Sequence, residues 1–343
     1  MITVFTLCSA NYLAHAKTLG DSLRQHNPDY DFVIGLVDRV PADIPELWRP
    51  HELVPVDDVG IDGLVDMIER YDVVELNTAV KPFYIDYLYR RDPSVEAVIY
   101  LDPDILVHTS LAPLADTLRS HSLVVTPHSC TYDDSDTAIY YEQGMLQSGV
   151  YNLGFLATRR SENTTALLQW WQHRLKEHCY YAPGTGIFVD QLWMTLASLY
   201  FDVYVEKNPG YNMCYWNHFE RRLSHAEGRY IVNGVHDLVF YHFSSYSADR
   251  PDRVTARVKS RTASFAERPD LKPIYDDYRR RLIANGFDSV KSLKYSLRRF
   301  PPKDELTFKR ASMKSLRKVL HALPFQLQWA LKRGAQFTLN SFK

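Results

Sequence analysis

Ala97-Val98-Ile99-Tyr100-Leu101-Asp102-Pro103-Asp104-Ile105-Leu106-Val107 is the stretch around which the chain is organised. The unbroken apolar run from Ala97 to Leu101 predicts a strand buried on both faces, because a half-exposed strand alternates polar and apolar positions. The run ends in two carboxylates on either side of Pro103, whose ring fixes φ. Asp102 and Asp104 are therefore expected on a stiff turn at the carboxyl end of a central strand, the edge where open α/β sheets bind ligands. Two hard anionic oxygens one residue apart suit a divalent cation such as Mg²⁺ or Mn²⁺, and diphosphate oxygens can complete its octahedron. A bare Asp-x-Asp is commonly just an acidic turn. Here Ile105-Leu106-Val107 follows at once, so the acids interrupt hydrophobic structure and do not belong to a solvated loop.

Tyr-Leu-Asp-Pro-Asp-Ile-Leu-Val, residues 100–107, resembles the Asp-x-Asp motif of glycosyltransferases with the GT-A fold, in the version carried by family 8 and its bacterial relatives. The resemblance implies an α/β protein with a Rossmann-like mixed sheet flanked by helices. It further implies that Asp102 and Asp104 hold Mn²⁺ or Mg²⁺, which bridges the diphosphate of a nucleotide-sugar and stabilises the leaving nucleotide. It covers about residues 1–250, leaving 251–343 as a helical, basic C-terminal region.

Composition agrees with a globular protein. With 343 residues, 45% of them hydrophobic, the chain can bury a sizeable core and has room for one large domain plus an appendage. Aromatics reach 13%, with 23 Tyr and 6 Trp; such rings serve carbohydrate sites as apolar platforms with polar tips, although core packing uses most of them. Cys8, Cys130, Cys179 and Cys214 lie far apart without Cys-x-x-Cys spacing, so neither a zinc site nor a disulfide framework is expected. The N-terminus lacks the pattern of a signal peptide, and no uncharged apolar run reaches about 18 residues, which leads to the expectation of a cytoplasmic protein.

Along the chain, Ile2 to Leu7 reads as a first strand, followed by a turn at Ser9-Ala10-Asn11 and a helix with Tyr12, Ala16, Leu19 and Leu23 on its apolar stripe. In the family 8 enzymes the matching segment holds the nucleoside, which would place Thr6, Ser9, Asn11 and Tyr12 at the donor; plain capping by Ser9 or Asn11 is the alternative. Residues 31–37 give a second strand with Asp38 at its end, parallel to the first. A helix is expected over 75–89 despite Pro82, with Lys81 where the related enzymes carry a basic residue that contacts the donor. Residues 132–147 show no period and read as a polar, aromatic loop, either a lid on the acceptor side or a surface excursion. Asn152-Leu153-Gly154 matches the family's Asn-x-Gly element, in which Gly allows close backbone approach to the donor sugar.

Asp190-Gln191 opens a helix that runs to Tyr200. The resemblance sets this pair beside the anomeric carbon as catalytic residues, where a carboxylate or amide stabilises oxocarbenium-like charge; alone, an N-terminal Asp favoured by the macrodipole accounts for it. Tyr215, Trp216 and Asn217 form a cluster suited to sugar contacts. Residues 236–242 read as a last buried strand ending at His242, which in the family is the third protein ligand of the metal. Family 8 continues from this His to a Gly three residues on and a Lys six residues on, whereas this chain has Ser245 and Ala248. Arg250 or the basic tail is left to supply the missing charge.

Residues 291–343 carry 13 Lys and Arg against Asp304 and Glu305, a net +11 that leaves −12 on residues 1–290. A basic amphipathic helix over 313–331, interrupted by Pro324, reads as a membrane-surface element or as a segment that packs back onto the acidic domain. No nucleic-acid module accompanies the charge. The expected function is metal-dependent transfer of a hexose from a nucleotide-sugar, a UDP-sugar first, to a glycan or lipid-linked glycan acceptor, with retention if the kinship is close. The alternatives are an inverting enzyme with Asp190 as base and a non-catalytic glycan- or membrane-binding module on the same fold.

Overall fold

The computed structural model describes residues 1–41, 46–133, 135, 138–257 and 264–297, and the basic helix expected over 313–331 lies outside the described residues. The chain begins β1 (Ile2–Cys8), α1 (Leu13–His26), β2 (Asp31–Leu36), β3 (Glu52–Pro55), α2 (Leu64–Arg70), α3 (Val73–Ala79) and α4 (Lys81–Arg91). The central strand β4 (Ala97–Leu101) and β5 (Ile105–Val107) follow, then α5 (Ala112–Ser120), β6 (Leu123–Pro127), α6 (Ala138–Ser148), β7 (Tyr151–Arg159) and α7 (Glu162–Leu175). After the hairpin β8 (Tyr181–Ala182) and β9 (Ile187–Phe188) come α8 (Gln191–Tyr200), β10 (Val203–Val205), β11 (Leu223–Ala226), β12 (Arg229–Val232), β13 (His236–Asp237) and β14 (Phe240–His242). Helices α9 (Lys272–Ala284) and α10 (Phe287–Val290) close the described part.

Seven strands form one mixed sheet in the order β10-β6-β7-β4-β1-β2-β3. β1 is parallel to β2 and β4, as the β1-α1-β2 unit requires, while β7 runs antiparallel between β4 and β6. Every residue of β4 is buried. Val98 and Tyr100 enter one apolar cluster with α2, α3, α4 and α7, and Ala97, Ile99 and Leu101 enter the opposite one with α1 and α5. That division follows from the period of two in a strand and explains why the segment has no polar position. A separate two-stranded antiparallel pair joins β14 to β5, setting His242 opposite Ile105.

Four expectations need correction. The helix expected over 75–89 is two helices meeting at Val80, because Pro82 stands in the first turn of α4, where its missing N–H is not needed. Residues 138–148, within the stretch read as a loop, form α6; only Ala138 of that helix is buried, so no apolar stripe marks it in the sequence. The last strand is split into β13 and β14, which belong to different sheets. Finally, a boundary at residue 250 is not found in the contacts, since the compact unit extends from Met1 to Leu297. Leu271, Ile274, Tyr275, Tyr278 and Leu282 are buried in the cluster that contains α1, and Tyr278 stacks on Phe243 at 3.8 Å between ring centroids.

Candidate active site

Pairing of β5 with β14 delivers the candidate metal centre. Asp102 leaves the end of β4, Asp104 precedes β5, and His242 ends β14; the ligand atoms of the three lie within 4.8 Å of one another. His242 Nε2 stands 3.1 Å from Asp104 Oδ1 and 3.6 Å from Asp102 Oδ2. The other ring nitrogen, Nδ1, faces Asn212 Oδ1 at 3.1 Å. Asn212 has its amide nitrogen committed as a donor to Thr126 Oγ1 (2.8 Å) and Asn152 Oδ1 (3.0 Å). Its oxygen must therefore accept and Nδ1 must carry the proton, which leaves Nε2 to face the carboxylates. This is the outer-shell arrangement that orients a metal-binding imidazole.

Charge agrees with that role. Burial alone would lower the His242 pKa, but Asp104 and Asp102 outweigh it and raise it. Burial would raise Asp104, yet the His242 contact holds its carboxyl below the ordinary value. Burial raises Asp102 in spite of Lys81 and His242 nearby. The three groups thus enclose a position that calls for positive charge. Two carboxylates and an imidazole fit Mn²⁺ well and Mg²⁺ adequately.

Gly154 sits against the imidazole. A Cβ there would lie 2.4 Å from His242 Cε1 and 2.7 Å from Nδ1, and Trp216 bounds the ring edge-on at 5.2 Å. The absence of a side chain at Gly154 thus makes room for the His242 ring. Gly154→Ala is expected to swing His242 off the acids and weaken Mn²⁺ binding about 10- to 100-fold, by analogy with other losses of ligand orientation. Calorimetric titration with Mn²⁺ checks this, and unchanged affinity refutes it.

The two residues expected at the reaction centre part company. Asp190 is 2% exposed and pairs with Lys81 Nζ at 2.6 Å; the same ammonium donates to Leu153 O at 2.8 Å and lies 4.2 Å from the Tyr100 ring centre. Tyr100 in turn donates its hydroxyl to Asp102 Oδ1 at 2.6 Å, linking the buried pair to the metal centre. Burial raises the Asp190 carboxyl although Lys81 draws it down. Gln191 instead accepts from Leu153 N (3.2 Å) and donates to Ser148 O (2.9 Å).

Gln191, Asn152, Tyr215 and Trp216 line a cavity of about 710 Å³ whose outer wall is built by α6, the segment before it, and the β8–β9 hairpin. Asn217, grouped with the two aromatics in the sequence, is fully buried and structural: it accepts from Cys214 N at 2.9 Å and donates to Asn212 O at 3.0 Å.

Of the residues expected near the nucleoside, Ser9 donates to Asn11 Oδ1 at 2.8 Å. Thr6 is fully buried, with no partner for its hydroxyl among the described residues. Tyr12 is 39% exposed and stacks on His15 at 4.3 Å. Partial burial and then the charges of Asp104 and Asp102 push the Tyr12 hydroxyl up to about 12.

Three contributors escaped the sequence reading. Asn212 holds His242 from a left-handed backbone, φ 54°, a conformation in which Asn is enriched; that preference was the available signal. Ser245 adopts φ 59°, the left-handed region that favours glycine. Arg257 lines the cavity and donates to Ser245 Oγ at 3.3 Å, and nothing in the local sequence singles it out.

No family model matches the chain. Over 246 residues the chain is 28% identical to the uncharacterized protein YfnF of Bacillus subtilis (strain 168), covering 70% of this chain and 80% of that protein. Among solved structures it is similar to the galactosyltransferase LgtC in complex with donor and acceptor sugar analogs, with TM-score 0.49 and 16% identity over 83% of this chain and 96% of that one. It is also similar to the glycosyltransferase GlyE of Streptococcus pneumoniae TIGR4, with TM-score 0.47 and 16% identity over 85% of this chain and 65% of that one.

Proposed function

We propose that the protein is a GT-A-type glycosyltransferase that uses a divalent cation to transfer a hexose from a nucleotide-sugar, most simply a UDP-sugar, to a glycan acceptor. The observation that carries this reading is the Asp102, Asp104 and His242 cluster, its imidazole held by Asn212, at the carboxyl edge of the central strand beside an aromatic-lined cavity. Asp102, Asp104 and His242 would hold Mn²⁺ or Mg²⁺, which when bound neutralises charge developing on the leaving diphosphate. Ser9, Asn11 and Tyr12 would line the approach of the nucleoside, whereas Thr6 is fully buried. Arg257 adds positive charge at the cavity wall, which Ala248 cannot supply. Tyr215 and Trp216 give the acceptor sugar apolar faces to stack on.

Asp190 is buried against Lys81 and absent from the cavity wall, which speaks against a general base there and favours retention over inversion. In this reading the Lys81–Asp190 pair fixes the floor of the sugar site through Leu153 and Tyr100, while Gln191 and Asn152 form the wall facing the transferred sugar.

Nucleotide release from a panel of UDP-, GDP- and CDP-sugars, with Mn²⁺ and with EDTA, tests the proposal. Mn²⁺-dependent release from one donor, with the anomeric configuration of the product read by NMR, is the expected result. Absence of release from every donor, even with glycan extracts supplied as acceptor, would replace the enzyme with a binding module.

Attachment to an anionic membrane surface through the basic tail is part of the same proposal, supported by the +11 charge of residues 291–343. Among the described residues no helix is long and apolar enough to cross a membrane. Removal of residues 298–343 is expected to weaken binding to anionic vesicles while donor turnover persists; unchanged vesicle binding would reject the attachment.

A further inference from the structure

In residues 138–148 and 178–201 only Glu142 and Asp190 carry a formal charge, although 24% of the whole chain is charged. Asp190 is buried against Lys81, so these segments present Glu142 alone. What they present otherwise is apolar. On α6, Tyr140 is 72% and Leu146 74% exposed; on the β8–β9 hairpin, Tyr181 is more than half exposed; on α8, Leu196, Leu199 and Tyr200 are exposed, Leu199 by 75%.

Apolar side chains scattered singly over a surface call for no explanation, but a contiguous patch does. Leu192, Leu196 and Leu199 stand at i, i+4 and i+7 and so form one stripe along α8. That stripe starts where α6 ends: Gly149 follows α6, and a Cβ on it would lie 3.2 Å from Leu192 Cα. At the other end of α8, Tyr200 meets Trp170 at 5.9 Å between ring centroids, and Trp170 meets Trp193 at 6.4 Å. In the hairpin, Tyr181 pairs with Phe188, their rings 4.9 Å apart. Tyr140, Tyr181 and Phe188 also line the cavity. The patch is therefore a collar at the mouth of the candidate active site.

Whatever covers the collar has to match a surface with almost no charge. It also has to leave the mouth accessible, whereas a second copy or a folded partner seated on Tyr140 and Tyr181 would shut it. Finally, it has to accord with the net +11 of residues 291–343, which suits an anionic lipid surface. A bilayer meets these conditions together. Tyr and Trp concentrate at its boundary with water, and attraction to a basic segment becomes stable attachment when a second, apolar signal joins it.

We propose that the collar of α6, β8–β9 and α8 docks on a lipid bilayer, with its leucines among the uppermost acyl chains and its tyrosines at the headgroups, so that the cavity opens on the membrane surface. The collar supplies the apolar contact and the basic tail the electrostatic one. Salt screens only the second. Docking of this kind does not depend on the glycosyl-transfer reading; where that reading holds, the acceptor is met at the lipid surface.

The test is sedimentation of the full-length protein with vesicles of phosphatidylcholine alone and of phosphatidylcholine mixed with phosphatidylglycerol, each at low and at high salt. Leu146→Glu and Leu199→Glu place a charge on two separate elements of the collar, at positions so exposed that little change in stability is expected; a thermal melt checks this. The wild type is expected to bind the neutral vesicles and to keep that binding at high salt, with affinity about tenfold lower in each variant. The salt-sensitive gain from phosphatidylglycerol belongs to the tail and is expected to be alike in all of them. Neutral-vesicle binding that is absent in the wild type, or equal in the wild type and both folded variants, overturns the inference. A wild type that self-associates in solution and becomes monomeric with either substitution assigns the collar to a second copy and overturns it too. Because vesicle binding is read without donor or metal, its failure leaves the glycosyl-transfer reading untouched, and a donor screen that fails leaves the docking standing.

Discussion

Asp104→Asn is expected to leave the fold standing and to end metal-stimulated turnover. The substitution keeps the shape of a side chain that is 19% exposed at the edge of the sheet, and the backbone bond from Phe243 N to Asp104 O (2.8 Å) does not depend on it. Without metal the site sets two carboxylates close together, and burial already raises Asp102, so removing one negative charge relieves as much as it disturbs. With metal the balance reverses. An amide oxygen is a neutral and weaker ligand, and the charge stabilisation that a cation contributes at a leaving diphosphate is several kcal/mol, so turnover should drop by on the order of a thousandfold. Nucleotide release at saturating Mn²⁺, set beside a thermal melt of each protein, measures both halves. Retained Mn²⁺-stimulated turnover in the variant would remove Asp104 from the metal centre.

Lys81→Met should act the opposite way, on stability first. Lys81 and Asp190 are each 2% exposed and paired at 2.6 Å; truncating one partner leaves the other charge buried without compensation, at about 3–5 kcal/mol. For a domain of this size that corresponds to a fall in Tm on the order of 10 °C. Replacing both, as Lys81→Met with Asp190→Leu, is expected to recover most of the loss, since buried pairs exchanged together for apolar groups are often neutral. The double-mutant cycle isolates the coupling. A double variant that melts like the wild type but turns over no donor would show that the pair is kept for the geometry of Leu153 and Tyr100 at the sugar site. A single variant with an unchanged melt would contradict the burial argument itself.

Parts of this architecture could be read directly from residue order because they are local. The run from Ala97 to Leu101 lacks any polar position, and only a strand covered on both faces tolerates that, which β4 is. The acids at its end, and their pairing with a late histidine through the family resemblance, led to the three side chains that the fold brings together. What stayed hidden depends on contacts between distant segments. Asn212 looks like a turn residue until the commitments of its amide to Thr126 and Asn152 are known. Asp190 resembles a free N-terminal acid until Lys81 is brought against it from α4. Helix α6 carries its side chains toward solvent and the cavity and so has no apolar rhythm to detect. The polar character of the chain past Arg250 suggested a boundary, but a helix needs only one apolar stripe, and Leu271, Ile274, Tyr278 and Leu282 supply it.

The pairing of β5 with β14 has a bearing on how the protein matures. Asp102 and Asp104 emerge early, on a strand already flanked by β1, whereas their imidazole partner arrives only after α7, α8 and the β11–β13 sheet have been made. Contacts between segments so far apart in sequence form late, because loop closure must precede them. A nascent or truncated chain that stops before β14 can build much of the central sheet and still lack the third ligand. On the proposed role of the cluster, Mn²⁺ binding would be a reporter of completed topology, acquired at the end of folding.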